Sequence, residues 1–348
     1  MKSMKDIARK CGVSIKTVSN VVNNAPHVKE MVREKVINAI REMGYVPNAA
    51  ARQLVLGRTP SIGRRHSGLN IACILRGDIA KYQSTYFTGI FAGIESELKA
   101  KGHYLAFMES CEELERQPLL FNALLNSGAI DGIISFAGSD RRDIYEKLTA
   151  LAPVVGIGGT EHDVCVNADK ARGMRLAVEY VSSLGHSDIG FLGGVKKGPG
   201  ADTRFTSFLA EMHARGLAVR DEWCLGDGFG FDIGRSAGSA LLSGGKRPTA
   251  VLCASDLTAI GAVHSFLESG LSVPNDISVV GYDNIPESSL IYPQLTTIDV
   301  PKEDIGREAV RMLLARIAEP DVRPANRQLP VSLVVRGSSG KTGGGRMQ

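Results

Sequence analysis

Apolar residues among the first 43 positions recur at a spacing of three to four, which is the period of an amphipathic helix. Helices are predicted at Asp6–Cys11, at about Ile15–Val22 and at about Lys29–Met43. Gly12-Val13 makes a tight turn between the first two helices, and Gly44 ends the third. Three such helices form a minimal core, whose inward-facing side chains are expected to be Ile7, Ala8, Cys11, Val18, Val21, Val22, Val32, Val36, Ala39, Ile40 and Met43.

The segment that follows this head, residues 47–57, carries a helix signal of its own. Asn48 is placed to cap a helix of about two turns that ends near Leu54. A helix this short is marginal alone in water, so we expect it to form only when it packs against something. Residues 58–69 are rich in Gly, Ser and Arg and are predicted to be a linker. Residues 339–348 have a similar composition and are expected to be a disordered tail.

From residue 70 onward, β-rich apolar runs alternate with helical periodicity. Such alternation indicates parallel sheets covered on both faces, and residues 70–338 are enough for two lobes of this kind. Ligands of open α/β sheets bind at the carboxyl ends of strands, so a pocket is expected in a cleft between the lobes. Strands are predicted at 71–75, 104–108, 132–136, 154–157, 189–192, 250–253, 277–280, 295–299 and 331–335. Helices are predicted at 86–101, 113–127, 169–184, 203–215, 232–243, 256–269 and 302–317.

The net charge of +4 conceals an asymmetry along the chain. Residues 1–65 carry thirteen Lys and Arg against four acidic side chains, a net charge of +9, whereas the remainder carries a net charge of −5. A basic head on an acidic body fits a polyanion that meets only the head. Charge alone leaves open the alternative of a solvated basic surface that has no partner.

Several classes of protein and of site fit this sequence poorly. No run of 18 apolar residues is present, and the first residues lack the apolar core of a secretory signal, so we expect a cytoplasmic protein with no membrane partner. The six Cys residues lack metal-ligand or CxxC spacing and are expected to be free thiols. The glycines at 156–159 and 193–200 do not match a dinucleotide-binding loop. We therefore expect no cofactor, no metal and no catalytic constellation, and predict that the chain is not an enzyme.

The first two helices of the head match helix-turn-helix geometry, in which the second helix enters the major groove of DNA. The first turn of that helix presents Ile15, Lys16 and Thr17, and Ser19 and Asn20 follow one turn later. Lys16 can donate to guanine O6 and N7, Asn20 can pair with adenine, and Ile15 can touch a thymine methyl. The polar residues at the helix ends suit phosphate contacts; they are Ser14, Asn23 and His27. Ser14 is also well placed to cap the second helix.

The head resembles that of the lactose-repressor (LacI) family of bacterial regulators. The resemblance rests on GVS-x-x-TVS at 12–19, AI-x-x-x-GY-x-PN at 39–48 and A-R-x-L at 51–54, within one ungapped stretch. It implies that Ile15 and Lys16 occupy variable base-reading positions and that His27 contacts phosphate. Asn20 stands where many members of the family carry Arg, so the base preferred at that contact is open.

The same resemblance assigns roles to the segment after the head. It implies that Tyr45, Asn48 and Ala51 make contacts around a hinge. It also implies that Leu54 is a wedge in the minor groove at the centre of the operator, where it kinks the DNA. For Leu54 by itself the alternative is an ordinary helix-packing leucine, and the motif residues around it favour the wedge.

The body resembles the sensor domain of the same family, which is similar to periplasmic sugar-binding proteins. The similarity is carried by the stretches at 166–194, 255–313 and 329–338, which include LGHSDIGFLGG, VVGYDN and LPVSLVVRGS. The fold class implied is an α-helical helix-turn-helix head followed by a two-lobed, periplasmic-binding-protein-like α/β sensor. A local departure is SIGRRHSGL at 61–69, which lengthens the linker before the first strand.

Six residues of the body match positions that contact the effector in this family. Arg204 offers a planar fork to hydroxyls or to a carboxylate, and a surface helix arginine is the alternative. Asp283 can accept two hydrogen bonds from hydroxyls, and a loop cap is the alternative. Phe229 can stack on a ligand ring, and core packing is the alternative. Tyr86 and Phe87 form an aromatic pair near the cleft, for which core packing is also the alternative. Ser255 stands where Asn is common in the family. The six are Tyr86, Phe87, Arg204, Phe229, Ser255 and Asp283.

The resemblance predicts a transcriptional repressor that binds a pseudo-palindromic DNA operator as a homodimer. Its operator affinity is expected to change with a small-molecule effector, either a sugar or a sugar derivative, with sugar acids, sugar phosphates and nucleobases open. The tail lacks apolar heptads, so no C-terminal tetramer is expected. One rival is a periplasmic sugar-binding protein, which the basic head disfavours. The other is a sugar- or nucleotide-acting enzyme, which the lack of a catalytic constellation disfavours.

Overall fold

The computed structural model describes residues 4–22, 29–43, 68–77, 84–116, 130–136, 142–158, 164–196, 202–322 and 324–343. The chain divides into two compact units. The first comprises Met1–Lys81, Ile94–Cys165 and Glu308–Asn326, and the second comprises Tyr82–Gly93, Val166–Arg307 and Arg327–Gln348. Within the described residues, no helix is long and apolar enough to cross a bilayer.

The head contains the three helices that the periodicity predicts, at α1 (Met4–Cys11), α2 (Ile15–Val22) and α3 (Glu30–Met43). Gly12, with a φ of 62°, makes the turn between α1 and α2. The core predicted for the head is confirmed at its described side chains, which are Ile7, Ala8, Cys11, Val18, Val21, Val32, Val36 and Ala39. The side chains of Val22, Ile40 and Met43 lie outside the described residues.

The first sheet has six strands in the order β11-β5-β4-β3-β1-β2. Its pairs β1–β2, β1–β3, β3–β4 and β5–β11 are parallel. The strands β3 and β4 are buried at every residue, as expected for a sheet covered on both faces. The elements in chain order are β1 (Asn70–Leu75), α4 (Thr85–Ala100), β2 (Tyr104–Ser110), α5 (Cys111–Arg116), β3 (Gly132–Ser135), α6 (Arg142–Thr149), β4 (Val154–Ile157) and β5 (Cys165–Ala168).

The second sheet has the order β12-β10-β9-β8-β6-β7, and its pairs are parallel except β10–β12, which is antiparallel. Two short 3-10 helices lie at Asp221–Trp223 and Pro286–Ser289. The other elements are α7 (Lys170–Ser183), β6 (Ile189–Leu192), α8 (Thr203–Ala214), β7 (Cys224–Leu225), α9 (Phe231–Leu242), β8 (Ala250–Cys253), α10 (Asp256–Glu268), β9 (Ser278–Asp283), β10 (Thr296–Asp299), α11 (Lys302–Ala318), β11 (Arg327–Leu329) and β12 (Ser332–Val334).

The structure confirms every predicted strand to within a few residues, and it adds elements that the pattern missed. These are the strands β5, β7 and β11 and the helix α6, all of eight residues or fewer. The predicted helix at 113–127 is described only as α5, since 117–129 lie outside the described residues. The expectation of wholly parallel sheets is wrong at β12, which returns antiparallel beside β10.

The expectation of a disordered tail from residue 339 is wrong for residues 339–342. The hydroxyl of Ser339 bonds those of Tyr180 and Thr296, at 3.0 and 2.7 Å. The carbonyl of Gly340 lies 2.9 Å from Nε2 of His186, and the amide of Thr342 donates to the carbonyl of Leu184. These bonds hold a Gly- and Ser-rich segment that has little apolar surface to bury. His186 is itself buried after its helix.

Candidate functional site

The start of α2 is set by a hydroxyl cap. The Oγ of Ser14 accepts a hydrogen bond from the amide of Thr17 at 3.0 Å, which satisfies one of the free donors of the first turn. The two hydroxyls also bond each other at 2.8 Å. The predicted cap is thereby confirmed, and the hydroxyl of Thr17 is bonded to the cap residue of its own helix.

The exposed surface at this end of α2 combines an apolar and a cationic side chain. Ile15 is 49% exposed although it is apolar, and Lys16 beside it is also exposed. Thr17, Ser19 and Asn20 are half-buried. An apolar side chain and an ammonium group with three N–H donors, at the first turn of the second helix, are suited to the edges of bases. The other DNA-contact positions lie outside the described residues: Asn23, His27, Tyr45, Asn48, Ala51 and Leu54.

A second set of predicted residues meets at the carboxyl ends of strands in the second unit. Arg204 lies in the first turn of α8, and its side chain is only 13% exposed. Its Nε and Nη2 donate to Asp202 at 2.8 and 3.2 Å, and its Nη1 donates to the carbonyl of Ala254 at 2.7 Å. These bonds fix the guanidinium plane, so the alternative of a surface arginine is wrong.

The partner carboxylate of this arginine belongs to the cap of α8. Asp202 also accepts from the backbone amide of Arg204 at 2.8 Å. Burial raises the pKa of Asp202, but the charge and hydrogen bonds of Arg204 outweigh burial, so this pKa lies well below its usual range. Asp202 is therefore a carboxylate anion at neutral pH.

The end of β9 brings Asp283 to the same arginine. Its Oδ1 lies 3.9 Å from Nη1 of Arg204, and its backbone has a φ of 117°, which non-glycine residues rarely adopt. The Nζ of Lys302 donates to the carbonyls of Asp283, Asn284 and Val300. Burial raises the pKa of Asp283 to about 8, although Arg204 opposes this.

Aromatic rings line the same arginine. The guanidinium of Arg204 lies over the ring of Phe229, 4.5 Å from its centroid, and 5.4 Å from the ring centroid of Tyr282. Phe229 is 48% exposed, so the alternative of core packing is wrong for it. Gly194 permits this placement, because a Cβ there would lie 3.0 Å from the ring of Phe229. About half of the Phe229 side chain is therefore exposed beside Arg204.

The three other predicted effector contacts, Tyr86, Phe87 and Ser255, differ in their surroundings. Tyr86 is half-buried in the second unit, and burial raises the pKa of its hydroxyl, with the charge of Asp283 acting in the same direction. Phe87 packs edge-on against Tyr86, with ring centroids 5.0 Å apart. Ser255 caps α10, since its Oγ accepts from the amide of Thr258, so its hydroxyl serves the helix in this structure.

Three residues near Arg204 were missed by the sequence analysis: Lys170, Asp202 and Tyr282. Asp202 had a readable signal, because it stands at the N-cap position before a predicted helix. Lys170 and Tyr282 had none, because each is brought to the site by the pairing of distant elements. Among the described residues, no group of three His, Cys, Asp or Glu could hold a metal ion. All six Cys are buried free thiols, as predicted.

Comparisons with known proteins match both parts of the chain. Residues 3–48 match the model of "Bacterial regulatory proteins, lacI family", and residues 178–339 match the model of a periplasmic binding protein-like domain. The "HTH-type transcriptional repressor PurR" of Pasteurella multocida (strain Pm70) is 32% identical over 343 residues, which cover 97% of this chain and 98% of that one.

Solved structures agree with these sequence matches. The transcriptional regulator CelR in complex with cellobiose is 28% identical with a TM-score of 0.68, and the match covers 97% of this chain and 100% of that one. A lac repressor dimer bound to operator and to the anti-inducer ONPF is 29% identical with a TM-score of 0.69, over 97% and 99% of the two chains. The helical head and the two-sheet α/β body inferred from the sequence are thereby confirmed together.

Proposed function

The chain belongs to the lacI family of bacterial regulatory proteins, which are DNA-binding transcriptional regulators and not enzymes, and we propose how it recognises its operator and its effector. It represses transcription from a pseudo-palindromic operator in the cytoplasm, and a sugar or related polyol changes its operator affinity. The function is divided among residues 1–46 for DNA reading, 47–57 as hinge helix, 58–69 as linker and 70–338 for effector binding and dimerisation.

DNA reading falls to the first turn of α2. The capped helix start presents Ile15 and Lys16 to solvent, where they can reach base edges. Lys16 donates to guanine and Asn20 pairs with adenine, whereas Ser14 contacts phosphate and fixes the register. For the positions outside the described residues the support is the family resemblance. It assigns a phosphate contact to His27, hinge contacts to Tyr45, Asn48 and Ala51, and the minor-groove wedge to Leu54, whereas the phosphate contact of Asn23 rests on its polar position at a helix end.

Effector binding falls to the residues around Arg204. The observation that carries this proposal is the buried guanidinium of Arg204, which is held by Asp202 and faces the carboxyl of Asp283 and the half-exposed ring of Phe229. Donors, acceptors and one aromatic face in a partly dry site suit the hydroxyls and the apolar face of a sugar. The cellobiose bound to CelR supports this class of ligand.

Dimerisation falls to an apolar surface on the second unit. Leu290 and Tyr292 are 80% and 91% exposed, and Ile291 between them packs against the core. Large apolar side chains displayed side by side mark a protein interface more often than a solvated surface. The dimeric lac repressor supports a two-fold dimer, which matches a pseudo-palindromic operator.

The proposal is tested by thermal-shift screening of the full chain against neutral and acidic sugars, polyols and nucleobases. A ligand that binds only the folded state raises the melting temperature. We expect a sugar or polyol to be the strongest stabiliser and to lose its effect when Arg204 is replaced by Met. Stabilisation by nucleobases alone would overturn the sugar class while leaving the regulator intact.

A further inference from the structure

Lys170 lies at the effector site although no motif points to it. It is the first residue of α7, and its backbone carbonyl accepts a hydrogen bond from the hydroxyl of Tyr282 at 3.5 Å. Gly173, one turn later, allows close packing, because a Cβ there would lie 2.3 Å from that hydroxyl. The start of α7 is thereby fixed against the residue that precedes Asp283.

The ammonium group of Lys170 lacks a close counter-charge. Its nearest carboxylate oxygen in the described part of the chain is Oδ2 of Asp202, at 4.0 Å, and that carboxylate is already bonded by Arg204 through two nitrogens. The amine is largely buried, and burial together with the charge of Arg204 lowers the pKa of Lys170. Lys170 is therefore a second cation beside Arg204, and the carboxylate nearest to it, Asp202, is shared with that arginine.

The charges that face this space do not balance at neutral pH. Lys170 and Arg204 are two cations, and Asp202 is one stable anion. Burial raises the pKa of Asp283 to about 8, although Arg204 opposes this, so this carboxyl is a weaker counter-charge than Asp202. Two further charged groups act on Asp283, namely Asp256, which raises its pKa, and Lys302, which lowers it. Lys170 and Arg204 therefore share one firmly ionised carboxylate, that of Asp202.

Helix ends add to this positive potential. The N-termini of α7, α8 and α10 carry Lys170, Arg204 and the cap Ser255, and each helix places its positive dipole end here. The caps of these helices satisfy their own amides, so the dipoles alone would not define a site. The uncompensated amine of Lys170 is the independent feature that indicates what the ligand must bring.

We infer that the effector carries one acidic group, a carboxylate or a phosphate, and that Lys170 contacts this group. The inference rests on the proposed sugar-binding function and narrows it to sugar acids and sugar phosphates. Arg204, Phe229 and the carboxyl of Asp283 bind the hydroxyls and the ring, whereas Lys170 supplies the charge that neutral sugars do not need. A neutral effector would leave the partly buried amine with only the carboxylate that it shares with Arg204, which is unfavourable.

The experiment compares matched pairs of probes on the full chain by isothermal titration calorimetry. The pairs are gluconate with sorbitol, glucuronate with glucose, galacturonate with galactose, and glucose 6-phosphate and ribose 5-phosphate with their parent sugars. Each is titrated into wild type, into Lys170→Met and into Lys341→Met, the last being an exposed lysine of the same unit. Lys170→Arg tests whether a retained charge restores binding.

The expected result is that an acid or phosphate binds at least about tenfold tighter than its neutral partner, and that Lys170→Met removes this advantage. Lys341→Met leaves it unchanged, and Lys170→Arg restores part of it. Tightest binding by a neutral sugar, or an acid whose affinity survives Lys170→Met, would overturn the inference and leave the proposed function standing. Failure of both members of every pair to bind would instead overturn the sugar effector itself.

Discussion

The Nη1 atom of Arg204 lies 3.9 Å from Oδ1 of Asp283, beyond the reach of a direct hydrogen bond. Each of the two is held by other partners, Arg204 by Asp202 and Ala254, and Asp283 through its backbone by Lys302. The two side chains are therefore held in place without a direct hydrogen bond between them. A ligand hydroxyl between them can accept from the arginine and share a proton with the carboxyl.

Replacing Arg204 by Met is expected to abolish effector binding. It is also expected to destabilise the protein by about 3–5 kcal/mol, because the buried Asp202 would lose its close ion pair and keep only Lys170 at 4.0 Å. Adding Asp202→Asn should recover much of that stability without recovering effector binding. Calorimetric titration and chemical denaturation measure the two effects. Arg175→Met, at an exposed position of the same unit, serves as the control. Effector binding that survives Arg204→Met would remove this residue from the site.

A pH dependence of stability is expected from Asp256. This carboxyl is buried, accepts from Thr297 and from the amide of Ile285, and has its pKa raised by burial to about 7. The unfolded form releases the Asp256 proton near pH 4, whereas the folded form keeps it up to about pH 7. The free energy of unfolding therefore falls as pH rises from about 4 to about 7. The contribution of Asp256 to the slope of the free energy of unfolding against pH is at most about 1.4 kcal/mol per pH unit.

The matched variant for this prediction is Asp256→Asn, which is close in shape to the protonated acid. Melting temperatures from pH 5 to pH 8 should fall less steeply for Asp256→Asn than for wild type, since the other groups titrate in both proteins. Near pH 5 the two should be most alike. Parallel profiles across the whole range would show that Asp256 is ionised in the folded state.

The effector site was only partly readable from sequence. Arg204, Phe229 and Asp283 each stand in a local motif, and the structure confirms that they share one end of the second sheet. Lys170 could not be found in this way, because its place depends on how α7 packs against Tyr282. Periodicity indicates the face of a helix that is buried, but the partner of that face is a long-range property.

Base reading by Lys16 gives a separate prediction. Lys16→Ala should weaken operator binding by about 1–3 kcal/mol and relax the preference at one base pair, because a major-groove donor is lost. Competition binding against operators mutated one base pair at a time measures this. Lys99→Ala, an exposed lysine outside the head, should leave the preference intact. Equal losses on operator and on random DNA would show that Lys16 contacts only phosphate.

The apolar surface at Leu290 and Tyr292 predicts the oligomeric state. Replacing both with Asp should convert a dimer to a monomer in sedimentation experiments, because two buried charges would face their symmetry mates. Operator affinity should fall in parallel, since only one head would bind. Val335→Asp is the control, because Val335 is 56% exposed elsewhere on this unit. A dimer mass for the double variant would place the interface elsewhere.

The termini of the body show why composition alone is a weak guide to order. Residues 339–342 are polar or glycine, yet Ser339, Gly340 and Thr342 are held by bonds to Tyr180, His186 and Leu184. Helices such as α10 were predictable to within a residue, because caps and apolar periodicity are local. Short strands such as β7 and β11 were missed because two or three residues carry no readable period.

The coupling between effector binding and operator binding is tested by one titration. Operator binding to wild type and to Arg204→Met is followed by fluorescence anisotropy, with and without a saturating amount of the sugar acid or sugar that stabilises the wild type best. Linkage predicts that this compound changes the operator Kd of wild type by about 5–150-fold and leaves that of Arg204→Met unchanged. An unchanged Kd for wild type at saturation, or an equal change in both proteins, would contradict the account.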